Sequence, residues 1–104
     1  MGTSGRKELL GYGRKIAKAG LVKGAGGCLS LREDGLVWIT PRGKSLGAVA
    51  LNDLCGIDPA TGKQVQGKRR PPTELALHLA IYKARPDVTS IFQAQPPWVV
   101  TVID

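Results

Sequence analysis

Arg69-Arg70-Pro71-Pro72-Thr73-Glu74-Leu75-Ala76-Leu77-His78-Leu79-Ala80-Ile81-Tyr82 carries a basic loop straight into a helix. Pro72 or Thr73 opens that helix: a proline in the first turn gives up no needed N–H, and a threonine hydroxyl can cap. Glu74 falls in the first turn, beside the positive end of the helix dipole. The apolar residues at 75, 77, 79, 81 and 82 cover a broad face and predict a well-buried helix. Glu74 and His78, four residues apart, share one side of it. A carboxylate at the mouth of a buried helix, beside free N–H groups, suits general acid–base work near an anion. The plainer alternative is that Glu74 complements the dipole and His78 is a packed polar residue.

Working outward, 104 residues with a hydrophobic fraction of 42% make one domain, residues 1–104, large enough for a modest core. No apolar run approaches the roughly 18 residues of a membrane span. Met1-Gly2-Thr3-Ser4-Gly5-Arg6-Lys7 has no apolar stretch behind it, which argues against a signal peptide and for a cytoplasmic protein. Cys28 and Cys55 have no CxxC spacing, and free thiols in a reducing compartment are the expectation, with a disulfide as the alternative. Fifteen Lys and Arg against eight Asp and Glu give a formal charge of +7 and a surface that attracts anions, phosphorylated metabolites included. Two Trp, two Tyr and one Phe offer no base-stacking platform, so nucleic acid is a minor reading.

In chain order, residues 6–19 read as a first helix, with Leu9, Leu10, Tyr12, Ile16 and Ala17 as its apolar stripe and Gly20 as its stop. Lys23-Gly24-Ala25-Gly26-Gly27 is a glycine loop able to form an anion nest, though a plain turn has the same composition. It is neither a Walker loop nor a dinucleotide fingerprint, because no Gly-Lys-Ser/Thr closes it and a strand follows it. Cys28–Arg32 and Leu36–Thr40 alternate as strands around a Glu33-Asp34-Gly35 turn. Arg42 and Lys44 in the next polar loop can face an anion or simply be solvated. A turn and strand follow over Leu51–Asp58, then a short strand at Val65–Gly67, then the helix to about Ala84. Val88–Gln95 reads as a buried strand, and Pro96-Pro97 ends it and opens a last helix over Trp98–Ile103, a segment whose β-branched residues leave its type open. This order predicts an α/β layered domain around a mainly antiparallel sheet.

Laid end to end, these segments resemble the N-terminal part of the class II aldolase/adducin family. The resemblance runs through Gly20-Leu21-Val22, Gly26-Gly27-Cys28-Leu29-Ser30, Ile39-Thr40-Pro41-Arg42-Gly43, Asp53-Leu54, Pro72-Thr73-Glu74, His78-Leu79-Ala80-Ile81-Tyr82, Arg85-Pro86-Asp87-Val88 and Gln93-Ala94-Gln95-Pro96-Pro97. It implies a layered α/β/α fold, shortened at its C-terminus, and a zinc enzyme acting on a phosphorylated sugar. By the same resemblance Gly27, Cys28, Ser30, Thr40, Gly43 and Thr73 fall at substrate-phosphate positions, and Glu74 falls at the acid/base.

The departures limit what carries over. Cys28 replaces the family's usual asparagine, Pro72 its first serine, and Arg42 stands where serine or threonine is common. Gln93 and Gln95 occupy the two positions of the family's His-x-His zinc pair. An amide oxygen is neutral and a poor zinc ligand, so no metal is expected, with zinc only if the site is rebuilt from other residues. The resulting expectation is a class II aldolase/adducin-like protein without zinc-dependent catalysis, acting as a homo-oligomer or by association with a related full-length protein. One rival is an aldehyde-lyase or epimerase on a phosphorylated sugar with Glu74 as acid/base. Another is a phosphate-metabolite binding module built on Gly26, Gly27, Gly43 and Lys44.

Overall fold

The computed structural model describes residues 3–22, 26–94 and 98–103. Helix α1 (Ser4–Lys18) is followed by strands β1 (Cys28–Glu33), β2 (Leu36–Ile39), β3 (Cys55–Ile57) and β4 (Gln64–Gln66), helix α2 (Leu75–Ala84), and strands β5 (Val88–Ala94) and β6 (Trp98–Ile103). Two short 3-10 turns, Leu46–Ala48 and Leu51–Asp53, join β2 to β3. The strands make one sheet in the order β4-β3-β2-β1-β5-β6, antiparallel at each neighbouring pair.

The β1–β2 turn follows from its residues. Asp34 and Gly35 take φ of 56° and 78°, the paired left-handed conformation that matches strand twist, and Asp-Gly tolerates it. Strand alternation then sorts the core into two layers. Leu29 and Leu31 of β1, with Trp38 and Phe92, pack beside Leu9, Ile16 and Leu46 on the α1 side. Val37, Ile39, Cys55, Ile57 and Ile91 pack with Tyr82, Leu75 and Leu79 on the α2 side. Complete burial of side chains such as Ile39 and Ile57 stabilises by roughly 1.5–3 kcal/mol each.

Three expectations need correction. Trp98–Ile103 is a strand, not a helix, and pairs with β5 from Val88↔Ile103 to Ala94↔Trp98. Val99, Val100, Thr101 and Val102 are β-branched, lose rotamer freedom in a helix and fit a pleated edge, and this outweighs a Pro-Pro opening. Helix α2 begins at Leu75 with Glu74 at the N-cap. Pro72 and Thr73 form the preceding turn, where Leu75 N–H donates to Pro72 O at 3.1 Å. Neither helix buries all of its apolar stripe: Leu77 and Tyr12 are exposed, and α2 presents His78 and Tyr82 to the sheet.

Candidate functional site

One column of β1 side chains, Cys28, Ser30 and Arg32, faces α2. The antiparallel register sets Cys28 opposite Gln93 and Ser30 opposite Ile91. Helical spacing places His78 and Tyr82, four residues apart, above that column. The Ser30 hydroxyl sits 2.6 Å from His78 Nδ1 and 2.8 Å from the Tyr82 hydroxyl. On the other side of the ring, His78 Nε2 lies 3.0 Å from Gln93 Oε1 and 3.2 Å from Cys28 Sγ. With an amide oxygen facing Nε2, the ring proton belongs on Nε2. The order of donation is then Tyr82 to Ser30, Ser30 to His78 Nδ1, and His78 Nε2–H to Gln93. Arg32 closes the column by donating to the carbonyls of Tyr82 and Arg85 at the end of α2 and of Val88 at the start of β5, with its guanidinium 4.6 Å above the Tyr82 ring.

His78 and Ser30 are completely buried, and the electrostatics follow. Desolvation lowers the His78 pKa against the raising effects of the Gln93 bond and the Glu74 charge, so the ring is neutral. Burial, with Glu74 nearby, pushes the Cys28 thiol up to about 12. Burial likewise raises the Tyr82 phenol to about 12. Cys28 is therefore a thiol at neutral pH rather than a nucleophilic thiolate.

Above this network opens a cavity of about 190 Å³, smaller than the usual range for drug-sized ligands and suited to a small anion. Its lining includes Gly27, Cys28, Gly43, Thr73, Glu74 and Gln93, with Arg42 contributing a cation. A Cβ on Gly27 would stand 2.7 Å from Val22 Cγ1 and 3.3 Å from Gln93 O, so any larger residue there would have to displace Val22. Of the phosphate-position residues, Gly27, Cys28, Gly43 and Thr73 thus meet on the cavity wall. Ser30 and Thr40 lie beneath it: Ser30 in the His78 network, and Thr40 with its hydroxyl accepting from Leu29 N–H at 3.1 Å. Lys23, Gly24, Ala25 and Gln95 lie outside the described residues.

Lys44 does not serve the cavity. Its Nζ is 2.7 Å from Asp53 Oδ2, while Arg69 Nε is 2.7 Å from Oδ1 and Ala50 N–H completes the cluster at 2.9 Å. These donors hold the Asp53 carboxyl well below the usual carboxylate range. The cluster ties the 41–44 loop to the basic loop, and Arg42 N–H adds a bond to Arg70 O at 2.8 Å. The separate spacing of Lys44, Asp53 and Arg69 in the sequence gave no sign of this cluster.

The residues present do not fit the family's zinc. Gln93, the zinc-position residue within the described chain, offers a neutral oxygen that already accepts from His78. Among the described residues no three His, Cys, Asp or Glu side chains converge as a metal-binding group. No helix among them is long and apolar enough to cross a membrane.

Comparison with known proteins gives the kinship. The chain is 34% identical over 99 residues to the 5-deoxy-D-ribulose 1-phosphate aldolase of Bacillus thuringiensis serovar kurstaki, covering 93% of this chain and 46% of that protein. It is 46% identical over 70 residues to the L-fuculose phosphate aldolase of Methanococcus vannielii, covering 67% of this chain and 37% of that one. A solved L-fuculose 1-phosphate aldolase superimposes with a TM-score of 0.81 at 33% identity, over 90% of this chain and 45% of its own. The chain thus spans less than half the length of these relatives. Residues 7–103 match the family described as Class II Aldolase and Adducin N-terminal domain, and the chain belongs to that family.

Proposed function

We propose that this chain is a class II aldolase-type domain without zinc-dependent catalysis, working by association with a second copy or with a related full-length protein in the cytoplasm. The observation that carries the reading is the Gln93 carboxamide oxygen, 3.0 Å from His78 Nε2, at a residue that the family resemblance aligns with a zinc histidine. Association is supported by β6. That strand ends the described sheet, and its Val99, Val100 and Val102 are exposed without a charged residue to guard the edge.

The cavity favours a second reading. Glu74, Thr73 and Gly27 all line it, which suits proton transfer on a bound phosphorylated sugar, the chemistry of a lyase or epimerase. The two are separated by assaying retro-aldol cleavage of a ketose 1-phosphate with and without added zinc, and measuring mass by light scattering. We expect no turnover and a concentration-dependent oligomer that Val100→Lys weakens. Turnover abolished by Glu74→Gln would establish the enzyme reading, and a monomer at high concentration would remove association.

A further inference from the structure

Gln93 is 8% exposed, yet half of its hydrogen-bonding capacity is unused within the described residues. Its oxygen accepts from His78 Nε2–H and faces Cys28 Sγ at 3.9 Å, while its amide nitrogen bonds to no described residue. No buried side-chain nitrogen or oxygen among the described residues lacks a partner, so that nitrogen meets open space. The open space beside Gln93 is the cavity. A planar amide whose oxygen is fixed has its N–H₂ direction fixed as well. The coupling is long-range: His78 is held through Ser30 and Tyr82, so a flip of the carboxamide would reverse the order of donation through three other side chains.

We propose that Gln93 is a ligand-binding group that donates its amide N–H to a carboxylate oxygen of a small phosphorylated acid held in the cavity. This rests on the metal-free reading of the site. Arg42, which also lines the cavity, supplies the cation for the anion. An amide nitrogen that faces the cavity without a protein partner is free to give its N–H to a ligand oxygen in place of water.

The test compares 2-phosphoglycolate with ethyl phosphate, which has the same phosphate and no carboxylate, on metal-stripped, isotope-labelled protein. On adding phosphoglycolate, the Gln93 side-chain amide protons are expected to shift downfield in the NMR spectrum. Gln93→Met is expected to weaken phosphoglycolate about tenfold or more and leave ethyl phosphate unchanged. Gln93→Glu keeps an acceptor for His78 Nε2–H and provides the second variant, with a larger loss from repulsion. An unchanged affinity ratio in both variants, a static Gln93 amide while Gly27 and Gly43 respond, or no binding of phosphoglycolate by the stripped protein would overturn the proposal. Binding that appears only with zinc would instead overturn the metal-free reading beneath it.

Discussion

Ser30→Ala probes the buried network most sharply. The Ser30 hydroxyl is completely buried and serves two neighbours, His78 Nδ1 at 2.6 Å and the Tyr82 hydroxyl at 2.8 Å. Removing it leaves an imidazole acceptor and a phenol donor dry and unpaired, each costing roughly 1–3 kcal/mol. Tyr82→Phe removes one partner while Ser30 keeps its bond to His78, for a cost of about 1 kcal/mol. We therefore expect about 2–6 kcal/mol for Ser30→Ala, a large share of the roughly 5–15 kcal/mol of a domain this size. The double variant has a sign of its own. Once Ser30 is alanine, Tyr82→Phe removes an orphaned hydroxyl, so the pair should cost less than the sum of the singles. Urea unfolding followed by far-ultraviolet circular dichroism, with slopes compared to confirm equivalent transitions, measures all three. Simple additivity, or a Ser30→Ala loss below about 0.5 kcal/mol, would refute the network as the source of order beneath the cavity.

Asp53→Asn should flatten the acid limb of the stability curve. A carboxyl with a lowered folded pKa stabilises above its unfolded value of about 4, and loses that contribution as pH falls through the folded value. Wild-type stability should therefore drop below about pH 5 more steeply than the variant's, and parallel curves would contradict the role given to Lys44 and Arg69. Both cysteines are buried and free, with Cys28 raised to about 12, so a thiol reagent at pH 7.5 should label them only in denaturant. Rapid labelling of the folded chain would show that the cavity floor opens.

Local signals carried much of the fold. The alternation of Cys28–Arg32, the Asp34-Gly35 turn and the stop at Gly20 are short-range features, and each stands where the residues place it. Trp98–Ile103 misled because two prolines resemble a helix start, while the strand is decided by pairing with β5, a partner elsewhere in the chain. The site was legible in part. Glu74, Thr73, Gly27 and Gly43 are reached through family resemblance and do line one cavity. The Ser30–His78–Tyr82 contacts join residues about fifty positions apart and depend on a register no single-chain pattern reveals. A signal was available in the repeat Glu74, His78, Tyr82, a polar stripe at helical spacing on a helix otherwise apolar. The Lys44–Asp53–Arg69 cluster had no such signal, because loop ion pairs follow the folded path rather than any period.

The central claim is that the site works without zinc. Calorimetric titration of zinc into metal-stripped protein, with metal content checked beforehand, measures it directly. The account predicts no saturable binding at micromolar zinc, since Gln93 gives its oxygen to His78 and a carboxamide is a poor ligand for this ion. Stoichiometric binding in that range would contradict it and move the metal search to Cys28, His78 and Glu74.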